Sequence, residues 1–169
     1  MNRSEPLLTD LDSIARIAEY ERQENEDFTR WLKEAGESVD ATVMRLQADI
    51  APQISCTDCG NCCRSLIIHV EPTDIPPLAQ RLDLSVDDFT ARYLEKGIGN
   101  DAVISQVPCH FLAGNWCTVY EDRFSACRSF PHLDVPGFSK RAFALMQQVG
   151  RCPIVFNVIK VLKSETGFR

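Results

Sequence analysis

The chain has 169 residues, 44% hydrophobic and 25% charged, and its 24 acidic against 18 basic side chains give a formal net charge of −6. This composition excludes a disordered or fibrous chain, and the negative total argues against nucleic acid as a partner, since phosphate binding depends on many lysines and arginines. No apolar run approaches the roughly 20 residues that cross a bilayer, and residues 1–10 turn acidic too early for a secretory signal, so we expect a cytoplasmic protein without a membrane partner.

Residues 1–53 are predicted to form an acidic helical leader. Residues 1–50 carry 12 acidic and 6 basic side chains, whereas residues 51–169 carry 12 of each. Apolar residues recur at helical spacing over 11–35 and again over 39–50, which predicts a helical hairpin. Two roles stay open for this hairpin, because it can pack on the domain behind it or serve as a homodimerisation or docking arm for a protein partner.

Residues 54–169 are predicted to form a second domain that is rich in loops. Residues 66–70 are an apolar run typical of a strand, and residues 73–97 and 139–163 show helical signatures. Residues 98–138 contain glycine and proline but no sustained apolar period, which favours loops held by something other than a large core. The predicted fold class is therefore mainly α, with a helical, loop-rich metal-binding domain and little β structure.

All of the cysteines fall in this second domain. The chain contains eight, at Cys56, Cys59, Cys62, Cys63, Cys109, Cys117, Cys127 and Cys152. A reducing cytosol seldom uses cysteines for structural disulfides, so a cysteine-rich cytoplasmic chain points to metal binding or redox chemistry. We predict that all eight are metal ligands.

The segment C-T-D-C-G-N-C-C at residues 56–63 carries the strongest signal. Cysteines two residues apart can turn their sulfurs toward one point, and Gly60 permits the positive φ that aims backbone amides at a thiolate. The spacing also matches the ferredoxin loop, in which a remote Cys-Pro completes the set, and Cys152-Pro153 is such a pair. Cys63 directly follows Cys62, so its side chain is expected to diverge and to serve a second centre or to hydrogen-bond near the first.

Crowded thiolates also require positive charge nearby. Two thiolates about 4 Å apart repel by several kcal/mol at protein-like permittivity, so four stay ionised together only around a cation. Four arginines flank the cysteines in sequence and are candidates to balance the remaining negative charge: Arg64, Arg123, Arg128 and Arg151. Arg64 and Arg128 directly follow cysteines and are the strongest candidates.

Four blocks of the chain share an ordered pattern of cysteines with aromatic and basic residues. They read C-x2-C-G-x-C-C from Cys56, C-x-F-L from Cys109, C-x-V-Y-E-x-R from Cys117 and C-R-x-F-P from Cys127. This pattern resembles the YkgJ-like cysteine-cluster family over residues 54–155, and the resemblance implies chelation of zinc or iron.

The resemblance also implies roles for residues other than cysteines. Tyr120, Arg123 and Arg128 fall on the family pattern and are expected, with Arg64, to orient the ligands or balance their charge. One departure is visible, because the family has proline after the arginine and this chain has Phe124. We expect this change to loosen the turn between the last two cysteine blocks.

Three functions remain open from the sequence. The first is an iron–sulfur or zinc protein with a redox role, in which the ferredoxin-like spacing slightly favours iron–sulfur. The second is an enzyme that methylates or oxidises a protein side chain at the cluster, as the similar motif of flagellin lysine N-methylase suggests. The sequence contains none of the common catalytic motifs, so such an enzyme would have an unconventional site. One candidate is a nucleophile pair of Cys109 with His110 or His132. The third is a zinc-structured module whose acidic leader binds a partner.

Overall fold

The computed structural model describes residues 6–168, and most of them are helical. Residues 1–5, part of the opening segment that was expected to lack a secretory signal, lie outside the described residues. The helices are α1 (Leu11–Tyr20), α2 (Arg22–Ala35), α3 (Asp40–Ile50), α4 (Cys56–Cys59), α5 (Asn61–Ser65), α6 (Ile75–Arg81), α7 (Val86–Tyr93), α8 (Ser125–Ser129), α9 (Phe138–Met146) and α10 (Pro153–Glu165). The strands are β1 (Ile68–Val70), β2 (Glu95–Lys96), β3 (Ala102–Ile104), β4 (Leu112–Ala113) and β5 (Trp116–Cys117). The mainly α fold class is confirmed.

The chain divides into two compact units. The first, called here the helical unit, comprises Met1–Ser55 and Pro131–Arg169, and the second, called the cysteine unit, comprises Cys56–Phe130. The predicted boundary at 53/54 lies two residues from the first division. The division at 130/131 was not predicted, because residues 131–169 were assigned to the cysteine domain.

The helical unit is built from α1, α2, α3, α9 and α10. Helix α10 packs on α3 and α1, and α9 packs on α2. Seven consecutive residues of α10, Pro153–Ile159, are buried, so this helix needs partners on every side. The N-terminal helices supply those partners, which explains why the C-terminal residues group with the leader.

Two local features shape the helical unit. The leader contains three helices where two were predicted, because the helix over 11–35 is interrupted at Glu21, within a strongly charged stretch. The N-terminus of α9 is capped from α3, since the Asp40 carboxylate accepts hydrogen bonds from the backbone N–H groups of Gly137 at 2.6 Å and Phe138 at 3.0 Å. No helix within residues 6–168 combines the length and the apolar composition of a membrane span.

The cysteine unit combines short helices with two small sheets. Strand β3 lies between β1 and β2 in an antiparallel sheet, and β4 pairs with β5 in a hairpin. These elements surround an apolar core that includes Leu78, Phe89, Ile104, Phe111 and Phe124. Three of these residues come from the stretch 98–138, where no large core was predicted. The core went unpredicted because its members come from short elements that are too brief to show a period.

Candidate metal centre

The first cysteine block folds as two short helices joined by one glycine. Helix α4 carries Cys56 and Cys59, and the backbone N–H of Gly60 donates to the Cys56 carbonyl at 2.9 Å. Gly60 then adopts the left-handed conformation, with φ 59° and ψ 11°, before α5 begins. The positive φ predicted for Gly60 is confirmed. It turns the chain between the two helices, which together carry four cysteines within eight residues.

Cys62 and Cys63 occupy consecutive positions of α5, and their sulfur atoms lie 3.9 Å apart. The predicted divergence of the two side chains is wrong, because both sulfurs turn to the same side of this short helix and form a hydrogen bond. The role of Cys63 at a second centre stays a prediction. A tetrahedral ion with metal–sulfur bonds of about 2.3 Å holds two sulfurs about 3.8 Å apart. The observed separation is therefore compatible with two thiolates on one ion.

The later cysteines come from three other places in the unit, and one of them contacts the first block directly. Cys109 precedes β4, and its N–H donates to the Cys63 carbonyl at 2.8 Å. Cys117 belongs to β5, and Cys127 to α8. Helix α8 is anchored at its start by Asp74, which accepts from the Ser125 backbone N–H at 3.1 Å and from its hydroxyl at 2.9 Å.

The thiols influence one another electrostatically, with Cys63 common to most of the interactions. Burial, followed by the charges of the neighbouring Cys63, Cys109 and Cys117, raises the pKa of Cys127 to about 12. Burial is also the main cause of the raised pKa values of three more thiols, those of Cys56, Cys109 and Cys117. The charge of Cys63 raises the pKa of each of these three thiols.

The Cys62–Cys63 pair divides its protons unequally. The hydrogen bond between the two thiols raises the pKa of Cys62 and lowers that of Cys63 to about 7, and Arg64 favours the Cys63 thiolate as well. One thiolate is thus surrounded by protonated thiols, an arrangement that binding of a cation would convert to several thiolates.

Arg123 is the arginine with the widest influence on the cluster. Its guanidinium stacks 3.9 Å above the Tyr120 ring and donates to the Tyr120 carbonyl at 2.7 Å. Its charge works against burial by lowering the pKa values of Cys56, Cys117 and Cys127. The supporting role that the family resemblance implies for Tyr120 and Arg123 stays a prediction.

The other arginines differ in what they contact. Arg128 donates to the carbonyls of Arg123, at 3.0 Å, and of Glu121, so it holds the loop that precedes α8. Arg81 was missed by the sequence reasoning. It pairs with Asp122 at 3.0 Å and lowers the pKa of Cys117, although no cysteine lies near it in sequence.

Cys152 and Arg151 belong to the helical unit, whereas the other cysteines belong to the cysteine unit. Cys152 is buried and immediately precedes α10. Its role as a ligand stays a prediction.

The arrangement does not favour Cys109 as a nucleophile. Its side chain is only 7% exposed, and burial raises its pKa, so the reactive thiolate is scarce. The exposed His110 ring instead meets the Tyr93 ring edge-on, with centroids 5.2 Å apart. His132 belongs to the helical unit.

The chemistry of the donor set fits zinc or iron. Within residues 6–168, no three Cys, His, Asp or Glu side chains are arranged to hold a metal. None of the cysteines in this range forms a disulfide. Clustered sulfurs are the donor chemistry that zinc and iron–sulfur clusters use.

Comparison with known proteins agrees with this donor chemistry. Residues 55–153 match the model of the CxxCxxCC family, which is described as a "Putative zinc- or iron-chelating domain". No curated protein and no solved structure matches the chain. The family match confirms the resemblance seen in the sequence motifs. Because it spans more than half of the residues, the chain belongs to the CxxCxxCC family.

Proposed function

We propose that the cysteine unit holds an iron–sulfur cluster or zinc, and that the protein has a redox role if the centre is iron–sulfur. The observation that carries this proposal is that five cysteines from separate segments of one unit interact with Cys63: Cys62 by its sulfur 3.9 Å away, and Cys56, Cys109, Cys117 and Cys127 through their charges. Burial raises the pKa of Cys56, Cys109, Cys117 and Cys127 and so favours their protonated forms, and binding of a cation would therefore release protons from the cluster.

The number and spacing of the thiols support iron–sulfur as the first candidate. A single structural zinc ion takes four ligands, and the cysteine unit offers seven thiols. The pattern of Cys56, Cys59 and Cys62 matches the loop that grips a cluster in bacterial ferredoxins. When bound, such a cluster supplies one-electron transfer or a Lewis-acidic iron.

Zinc is the second candidate, and one distance favours it. The 3.9 Å between the sulfurs of Cys62 and Cys63 is close to the separation of two ligands on a single tetrahedral ion. Zinc would then hold the short elements of the cysteine unit together, and the protein would be a structured interaction module.

The chain's own residues have defined tasks in either case. The seven cysteines of the unit are the proposed ligands, and Arg123, held against Tyr120, offsets the negative charge of bound thiolates. Arg64 does so beside Cys63. Arg128 keeps the loop before α8 in place. We propose a cytoplasmic location, because a reducing compartment keeps thiols available for metal.

The test is purification of the full chain without oxygen, followed by metal analysis and absorption spectroscopy. A broad absorption band at roughly 400 nm that bleaches with dithionite supports iron–sulfur, whereas a colourless protein with stoichiometric zinc supports the module. Cys63→Ser is expected to lose metal. Cys152→Ser is its matched comparison in the helical unit and tests whether that residue is a ligand. Folded, oxygen-protected protein that contains neither iron nor zinc would refute the proposal.

A further inference from the structure

A network of polar contacts joins the first cysteine block to the hairpin that carries Cys117, and it contains no cysteine side chain. The Arg64 guanidinium donates to the Cys59 carbonyl at 2.9 Å and to the Gly114 carbonyl at 2.7 Å. It also donates to the side-chain oxygen of Asn115. One arginine from α5 thereby bridges the end of α4 and the turn between β4 and β5.

Asn115 completes the connection in the opposite direction. Its side-chain N–H donates to the Asp58 carbonyl in α4 at 2.7 Å. The two residues close over Gly60, where an added Cβ would lie 3.1 Å from the Asn115 carbonyl oxygen and 3.1 Å from Arg64 Nη1. We call this pair, Arg64 with Asn115, the clasp.

We propose that the clasp is a positioning device, which sets Cys117 against the cysteines of α4 and α5 before any metal arrives. This inference rests on the proposed function. Arg64 has two roles open to it, since its charge favours the Cys63 thiolate and its guanidinium bridges three oxygens. Geometry adds the bridging role to the charge role, because a planar guanidinium can satisfy several oxygens at once and an ammonium cannot reproduce that fork.

The clasp raises metal affinity by reducing the conformational entropy that is lost when the site assembles. Ligands that are already held in place lose less conformational freedom when an ion binds, so affinity rises without a new metal contact. Residues that orient metal ligands typically contribute a factor of about 10–100 in affinity. We expect the clasp to contribute within that range.

The first measurement uses the metal-free full chain, kept reduced. Hydrogen exchange should show protection of the hairpin at 112–117 in the wild type, and Asn115→Ala should lose it. Thr118→Val is the matched control, because it removes a hydroxyl hydrogen bond to the Phe111 carbonyl within the same region and leaves the clasp intact. If the hairpin exchanges equally in the wild type and in Asn115→Ala, the clasp does not position it and the proposal fails.

The second measurement is zinc affinity, determined by competition with a chromophoric chelator. Arg64→Lys keeps the positive charge but loses the fork, and it should bind zinc about 10–100-fold more weakly, as should Asn115→Ala. Thr118→Val should stay within about threefold of the wild type. If Arg64→Lys binds as the wild type does, charge alone is sufficient and the inference is wrong.

Two further outcomes are distinguishable. A wild type that binds neither zinc nor iron refutes the proposed function, while hydrogen exchange of the metal-free chain still decides whether the clasp orders the hairpin.

If circular dichroism shows that Asn115→Ala does not fold, Asn115→Asp replaces it in both measurements. Asn115→Asp keeps the oxygen that Arg64 contacts but loses the N–H that donates to Asp58. Its zinc affinity should therefore fall less than that of Arg64→Lys. An equal or larger fall would contradict the bridging role.

Discussion

Replacement of Phe124 tests whether the departure from the family's proline weakens the chain or adds to its core. The sequence predicted a looser turn here. That looser turn stays a prediction, while the structure shows that Phe124 is 2% exposed and that its ring centroid lies 6.1 Å from that of Phe111. Its carbonyl accepts the N–H groups of Cys127 and Arg128 at the start of α8, so this residue also positions a proposed ligand.

The backbone at Phe124 already has a conformation that proline can adopt. Its φ is −49°, and the preceding Arg123 has φ −56° and ψ 151°, which suits a residue before proline. Phe124→Ala should cost about 3–5 kcal/mol by removing a fully buried ring. Phe124→Pro should lose the same ring but recover about 0.4–1 kcal/mol, because proline restricts the unfolded chain.

The assay is urea unfolding of reduced protein, followed by fluorescence in a Trp31→Phe background. The chain has only two tryptophans, so Trp116 then reports the cysteine unit alone. Phe124→Leu provides a milder step of about 1 kcal/mol if the alanine variant is unfolded without urea. The reasoning would be refuted if Phe124→Ala cost less than about 1 kcal/mol, or if the proline variant were less stable than the alanine variant.

Three more predictions concern the metal and the helical unit. Removal of metal with a chelator should speed hydrogen exchange in the cysteine unit more than in the helical unit, because the free energy of metal binding stabilises the unit that contains the ligands. Equal acceleration in both units would contradict this prediction. Burial and neighbouring cysteines raise the pKa of Cys127 to about 12, so zinc must displace protons, and its affinity should fall tenfold for each unit by which the pH is lowered, per proton released. Calorimetry in two buffers of different ionisation heat counts those protons, and a count of zero would exclude the mechanism. Asp40→Ala should lower the free energy of unfolding of the helical unit by about 1–3 kcal/mol, because the backbone N–H groups of Gly137 and Phe138 lose their shared acceptor. Urea unfolding followed by Trp31 fluorescence in a Trp116→Phe background measures this loss. An unchanged unfolding midpoint would mean that water replaces the cap.

The sequence predicted local features of the site well, because those features depend on residues close together in the chain. The left-handed glycine between α4 and α5 follows from the spacing of the first cysteine block. The strand within residues 66–70 and the two C-terminal helices were likewise found within a few residues of their predicted bounds. Each carries its own signal in apolar periodicity or turn chemistry.

Partners distant in sequence were not predictable in the same way. An apolar helix such as α10 shows that it must be buried, but its pattern does not identify the helix that will cover it, so its grouping with the leader was missed. Arg81, Asp74 and Asn115 were missed for a related reason. Each is an ordinary polar residue in sequence, and its importance arises from an atom that it meets through the fold.

The order of segments along the chain has a thermodynamic consequence of its own. The helical unit is discontinuous, so its two parts can join only by closing the intervening residues 56–130 into a loop. For a flexible loop of this length, the closure entropy grows as (3/2)RT ln n and reaches about 4 kcal/mol. An insert that folds first shortens the effective loop and removes part of that cost. An ion that stabilises the insert can therefore favour assembly of the flanking helices through chain connectivity alone.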